Sequence, residues 1–151
     1  MKNDVTAHWD IKYFVPFMYL FVVESNKQIS QNKWNVLDHY LHTTLTHVFF
    51  LDEHEKWTII NEVKQLSHSL TDIQKMAVIK DVAARIYISR DLYEMIVDDL
   101  NAIARSDKFV SVEEHSSMFF IRLHIKKDYI TSQQKAVNIS ANVPVVEYIY
   151  R

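Results

Sequence analysis

From Trp34 onward, apolar residues return every three or four positions at Leu37, Leu41, Leu45 and Val48, which predicts a helix starting near Ser30 with one apolar stripe. His39 and His42 fall beside that stripe. Asp52 is placed to cap a second helix carrying Trp57, Ile60, Val63 and Leu66, with Glu53 and Glu55 near its positive end. Thr71 opens a third, with Ile73, Met76, Ile79, Val82 and Ile86 on its apolar side. A fourth, from about Ser89, buries Leu92, Ile96, Leu100 and Ile103 and turns Asp91, Glu94 and Asp98 to solvent. The stretch IYIS before it is locally strand-like, but its helical flanks predict a short break rather than a sheet. A last long helix follows SDKFVS, with Val112, Phe119, Phe120 and Leu123 expected to face the core.

The most apolar run, YFVPFMYLFVV at residues 13–23, predicts a buried helix. As a helix it spans about 16 Å against a hydrocarbon core of roughly 30 Å, so it does not cross a membrane alone, and a membrane-surface anchor is the competing reading. Asp4 and Asp10 precede it and no small-residue cleavage site follows, unlike a signal peptide. At the other end the pattern decays beyond Lys126 and Lys127 into TSQQKAVNISANVPVVEYIYR. Its polar middle reads as a linker, and VPVVEYIYR as a segment able to lie extended against the body or a partner.

The organisation expected is a lead-in over 1–13, a helical domain over 14–126, and a linker with an extended tail over 127–151. Composition agrees with one all-α domain, a compact bundle of about five to seven helices. Hydrophobic residues make up 48% of 151, enough for a covered core, and glycine is absent, which disfavours all-β folds and glycine-dependent loops. Without glycine there is no phosphate-binding loop, dinucleotide fingerprint or nucleophile elbow. No cysteine means no disulfide, thiolate metal site or cysteine nucleophile, in keeping with a reducing, cytoplasmic setting. A formal charge of −2 argues against nucleic-acid binding, and Arg122, Lys126 and Lys127 read as ordinary solvated charge.

Two stretches share a spelling, SNKQIS at 25–30 and SDKFVS at 106–111, each preceded and followed by a predicted helix. They predict one turn used twice, in two related helix-turn-helix units. Ser111 with Glu114 forms the S-x-x-E capping box, and Asn26 and Asp107 suit a chain leaving a helix. A calcium-binding EF-hand loop is a poor match. Its first, third, fifth and twelfth positions would be Ile103, Arg105, Asp107 and Glu114 in one copy, and Val22, Glu24, Asn26 and Lys33 in the other.

The segment LNAIARSDKFVSVEEHSSMFFIRLHI resembles the signature of the TerB-like (tellurite resistance) family, an apolar helix entering a loop of the type A-D-G-x-I-S-x-E-E and then a second helix. Asp107 matches the aspartate, Val110 the apolar residue, Ser111 the cap, and Glu113 and Glu114 the acidic pair. MYLFVVESNKQISQNKW resembles the same motif, and the likeness covers about residues 14–126. Lys27 and Lys108 stand where the family has glycine, and in the first copy Asn26, Asn32 and Lys33 replace its acids. The resemblance implies a compact helical module of bacterial stress-response or membrane-associated assemblies, with divalent-metal binding at acidic residues; here those would be Asp107, Glu113 and Glu114, and His115 lies next to them in the chain.

A second metal candidate is DHYLH, where Asp38 and His42 lie four apart on a helix beside His39, but no third ligand is legible. Nothing in the chain pairs a nucleophile with a base. The expectation is therefore a non-enzymatic interaction or stress-response module that engages a protein partner or a second copy, with no resident cofactor. The rival classes are a divalent-metal-binding or metal-sensing protein and, behind it, a helical hydrolase.

Overall fold

Short polar side chains begin every helix. Asp10 accepts from the Lys12 N–H at the start of α1 (Ile11–Glu24), and Ser30 accepts from Lys33 N–H at the start of α2 (Gln31–Thr43). Asp52 with Glu55 and Thr71 with Gln74 form capping boxes for α3 (Glu53–Ser69) and α4 (Asp72–Ala83). Ser89 caps α5 (Arg90–Ala104), and Ser111 stands before α6 (Val112–Ile125). The computed structural model describes residues 5–107 and 110–125, which form these six α-helices and no strand. Lys108, Lys126, Lys127 and the predicted linker and tail at 127–151 lie outside the described residues.

The apolar run becomes the central helix. Ten consecutive residues of α1, Phe14 to Val23, are buried, and α1 touches each of the other five helices. A helix apolar on every side has no face to offer water, so the others assemble around it. No described helix is long and apolar enough to cross a membrane. The segment before α1 also belongs to the core: Trp9 is buried, its indole N–H donates to Glu62, and Arg85 Nη2 donates to the Thr6 carbonyl at 2.6 Å.

The α2 pattern continues past Thr43 as a π-turn over Thr44–Val48, closed by Phe49 N–H to the Thr44 carbonyl. Widening the turn by one residue rotates the chain. Val48, expected in the apolar stripe, is therefore exposed, while Thr44 and Leu45 are buried. Phe50 follows with φ +58°, a left-handed conformation taken in a chain with no glycine to ease it, and its ring is 83% exposed. The predicted break falls between Ala83 and Arg90, without a strand.

Three other faces differ from the periodic reading. Trp57 lies at the rim of α3 with its ring edge-on to His42, while Ile59, Ile60 and Val63 go inside. Ile73 is exposed in the first turn of α4, and Lys75 takes the inward position with its ammonium 3.0 Å from Glu24 Oε1. On α6, Val112, Phe119 and Leu123 point outward, Phe120 is half-buried against Phe21, and Met118, Ile121 and Ile125 enter the core.

Tyr19 carries a polar contact out of the central helix. The Tyr19 hydroxyl donates to Asp99 Oδ2 at 2.6 Å, tying α1 to α5, and Thr44 lies 3.4 Å from the same oxygen. Burial, and next the Asp99 charge, push the Tyr19 hydroxyl well above its ordinary value. Burial also raises the Asp99 carboxyl, against the hydrogen bonds from Tyr19 and Thr44. A raised folded-state pKa means the native state holds the proton more readily than the unfolded chain. That contribution is present below the ordinary carboxylate pKa and is lost as pH rises through the folded value. Asp99→Asn keeps an acceptor for Tyr19 and removes the titration. Its stability relative to the wild type should increase as pH climbs through that window and then level off; urea unfolding across pH checks this, and a pH-independent difference would contradict it.

Candidate functional site

The two look-alike corners are built alike and then joined. In each, the first serine folds back on its own helix: Ser25 Oγ donates to the Val22 carbonyl at 2.6 Å, and Ser106 Oγ to the Ile103 carbonyl at 2.8 Å. In each, the last serine caps the following helix, Ser30 through Lys33 N–H at 3.0 Å and Ser111 through Glu114 N–H at 3.1 Å. The third helical residue then turns inward. That residue is Lys33 on α2 and Glu114 on α6, and both are fully buried.

Equivalent positions of the repeat thus carry opposite charges, and they meet. Lys33 Nζ lies 2.6 Å from Glu114 Oε2 and donates to the Ala104 carbonyl, in the last turn of α5, at 2.9 Å. Asp107 Oδ2 stands 3.9 Å from the same ammonium. Glu114 Oε1 accepts from Ser111 N–H at 3.0 Å, so one carboxylate closes the capping box with one oxygen and holds the lysine with the other. Ser30 Oγ donates to both Asp107 oxygens, at 2.7 and 2.8 Å, and Asn32 Nδ2 donates to the Ser106 carbonyl at 2.9 Å. The ammonium also complements the negative end of α5.

Of the three predicted metal-site residues, Asp107 and Glu114 converge, and the group between them is the Lys33 ammonium. Glu113 faces solvent in the first turn of α6, and His115 is exposed as well. The DHYLH residues are dispersed: Asp38 pairs with Lys64 at 3.7 Å, His39 packs edge-on to Tyr40, and His42 packs on Trp57. Burial, helped by Lys56, lowers the His42 pKa. Among the described residues, no group of three or more histidine or carboxylate side chains is placed to hold a metal ion.

Lys33 is the residue that periodicity passes over. A signal was available: a lysine at the third position of a helix opposes the helix dipole, and the repeat aligns it with a glutamate. Two further polar groups were equally silent. Glu24, at the end of α1, takes Lys75 and the buried hydroxyl of Ser67, with His68 3.1 Å away. A cleft of about 200 Å³ beside Lys12, Tyr13, His54 and Glu55 is smaller than the roughly 300–1,000 Å³ usual for small-molecule sites. Its Glu55 already closes the Asp52 capping box.

Compared with models of protein families, with curated proteins and with solved structures, the chain matches none.

The pair makes a direct energetic prediction. Removing one member of a buried ion pair strands the other charge, which costs about 3–5 kcal/mol. Lys33→Met and Glu114→Gln should each destabilise by that order. The double variant should lose clearly less than the sum, since neither charge is then left alone. Urea unfolding of the four proteins measures the coupling, and additive losses would show that the two side chains do not depend on each other.

Proposed function

We propose that this chain is a non-enzymatic interaction module of TerB-like type, working inside the cell in a stress response by engaging a protein partner. The observation that carries the reading is α6, which is apolar on two opposite sides. Met118, Ile121 and Ile125 are buried, while Val112, Phe119 and Leu123 are 77%, 61% and 60% exposed on the other side. Exposed apolar stripes of this kind take an amphipathic or extended apolar segment of another protein. The acids of the paired corners support the same reading, because they are engaged by Lys33, Ser30 and Ser111 rather than open to a substrate. The TerB-like resemblance supplies the stress-response setting.

A photo-crosslinking residue at Ser116, exposed beside the stripe, should trap a partner in the native host. That partner, purified, should bind the wild type at least about tenfold more tightly than Phe119→Asp, a loss of about 1.4 kcal/mol. Equal affinities, or no adduct, would overturn the proposal.

The second reading, a divalent-metal-binding or metal-sensing protein using Asp107, Glu113 and Glu114, draws on the convergence of two of those carboxylates. For a cation to enter between them, the Lys33 ammonium must leave. A bound ion stabilises the native state by mass action. On the interaction reading, calcium, magnesium, manganese and zinc leave the Tm of untagged protein unchanged. A saturable rise with one of them, lost in Asp107→Asn, would favour the metal reading.

A further inference from the structure

The outer side of α6 has a candidate occupant within the same chain. Successive residues of a helix are set about 100° apart, so Val112, Phe119 and Leu123 fall within a narrow arc, opposite the arc of Met118, Ile121 and Ile125. The stripe runs along a helix about 21 Å long. Three side chains offer a few hundred Å² of apolar surface, well short of the roughly 800 Å² per partner of a stable dimer. A surface of this size is better suited to a tethered segment, which binds at an effective concentration of order millimolar and does not need a full interface.

Such a segment follows directly. The described chain stops at Ile125, the end of α6, and 26 residues come after it. Residues 143–151 read VPVVEYIYR. In an extended chain, side chains alternate between two edges, which puts Pro144, Val146 and both tyrosines, Tyr148 and Tyr150, on one edge, and Val143, Val145, Glu147, Ile149 and Arg151, with both charges, on the other. Pro144 disfavours a helix there. The 17 residues between Ile125 and Val143 reach up to about 56 Å, more than twice the length of α6, so the segment can return along the helix. Running back toward the N-terminal end of α6, it carries Arg151 toward the acidic first turn with Glu113.

We infer that residues 143–151 are an intramolecular ligand of the outer face of α6, laid antiparallel to the helix with Val146, Tyr148 and Tyr150 on the stripe of Val112, Phe119 and Leu123. This rests on the interaction reading in one respect, that the stripe is a binding surface, and it gives that surface a built-in competitor. A partner must displace the segment, so deleting 143–151 tightens partner binding.

The chain has no cysteine, so a nitroxide can be attached at a single Ser116→Cys substitution in full-length protein. The expected result is loss of amide signal intensity over 143–151 in the labelled chain. No such loss is expected when isotope-labelled chains without nitroxide are mixed with unlabelled chains carrying it. Phe119→Asp with Leu123→Asp should abolish the loss. Both side chains are exposed, so the bundle survives, and the unchanged dispersion of the remaining amide signals verifies that. In the relaxation measurement, three outcomes overturn the inference: no loss over 143–151, an equal loss in the mixed sample, which would make the occupant a second copy, or a loss that persists in the double variant. A positive relaxation result without any trapped partner would leave the strap standing and remove the partner reading; a partner whose affinity ignores deletion of 143–151 would do the reverse.

Discussion

The contact between the Lys33 ammonium and the Glu114 carboxylate determines how the two halves of the chain face each other. Both groups are fully buried, and each is the third residue of a serine-capped helix. A buried charge is tolerable only beside its partner, so the rotation of α2 and of α6 about their axes is constrained at this point. Once Glu114 faces inward, the residues three, four, seven and eleven places on must follow it: Ser117, Met118, Ile121 and Ile125. Once Lys33 faces inward, Leu37 and Leu41 follow in the same way.

That constraint connects the core to the surface. Periodicity alone would let α6 turn its other apolar side, with Val112, Phe119 and Leu123, toward α1. The ion pair selects the opposite side, and Val112, Phe119 and Leu123 are left outward. The exposed apolar stripe is thus linked to an electrostatic contact in the interior. It also accounts for the use of the acids. An ammonium on a tethered side chain occupies the space between Asp107 and Glu114 that a free cation would need. The ammonium lies 2.6 Å from Glu114 and 3.9 Å from Asp107.

Much of the architecture was legible in the sequence because it rests on local rules. Capping residues at Ser30, Asp52, Thr71, Ser89 and Ser111 mark helix starts that the structure uses, and the apolar run at 13–23 became the buried centre. The repeated corner was legible too, including the Ser111–Glu114 capping box, whereas the serines that bond back to their own helices, Ser25 and Ser106, were not read in advance. Faces were less legible. Val48 left its stripe because a π-turn changes the angular step, and Ile73 and Trp57 left theirs because Lys75 and Lys56 hold inward positions. A count of apolar residues treats a lysine as a solvent residue; it does not foresee Lys75, whose carboxylate partner Glu24 lies 51 positions away, nor Lys56, which pairs with Glu53 in its own turn.

The sequence by itself determined that this chain is helical, where most helices begin, and that one corner is used twice, because caps, turn residues and periodicity act over a few neighbouring positions. Only the tertiary structure decided which side of α6 is core and what lies between Asp107 and Glu114. Those outcomes depend on Lys33 meeting Glu114 across 81 positions of chain. Pairing of charges in a low-dielectric interior is set by distance in space, which the linear order of residues does not encode.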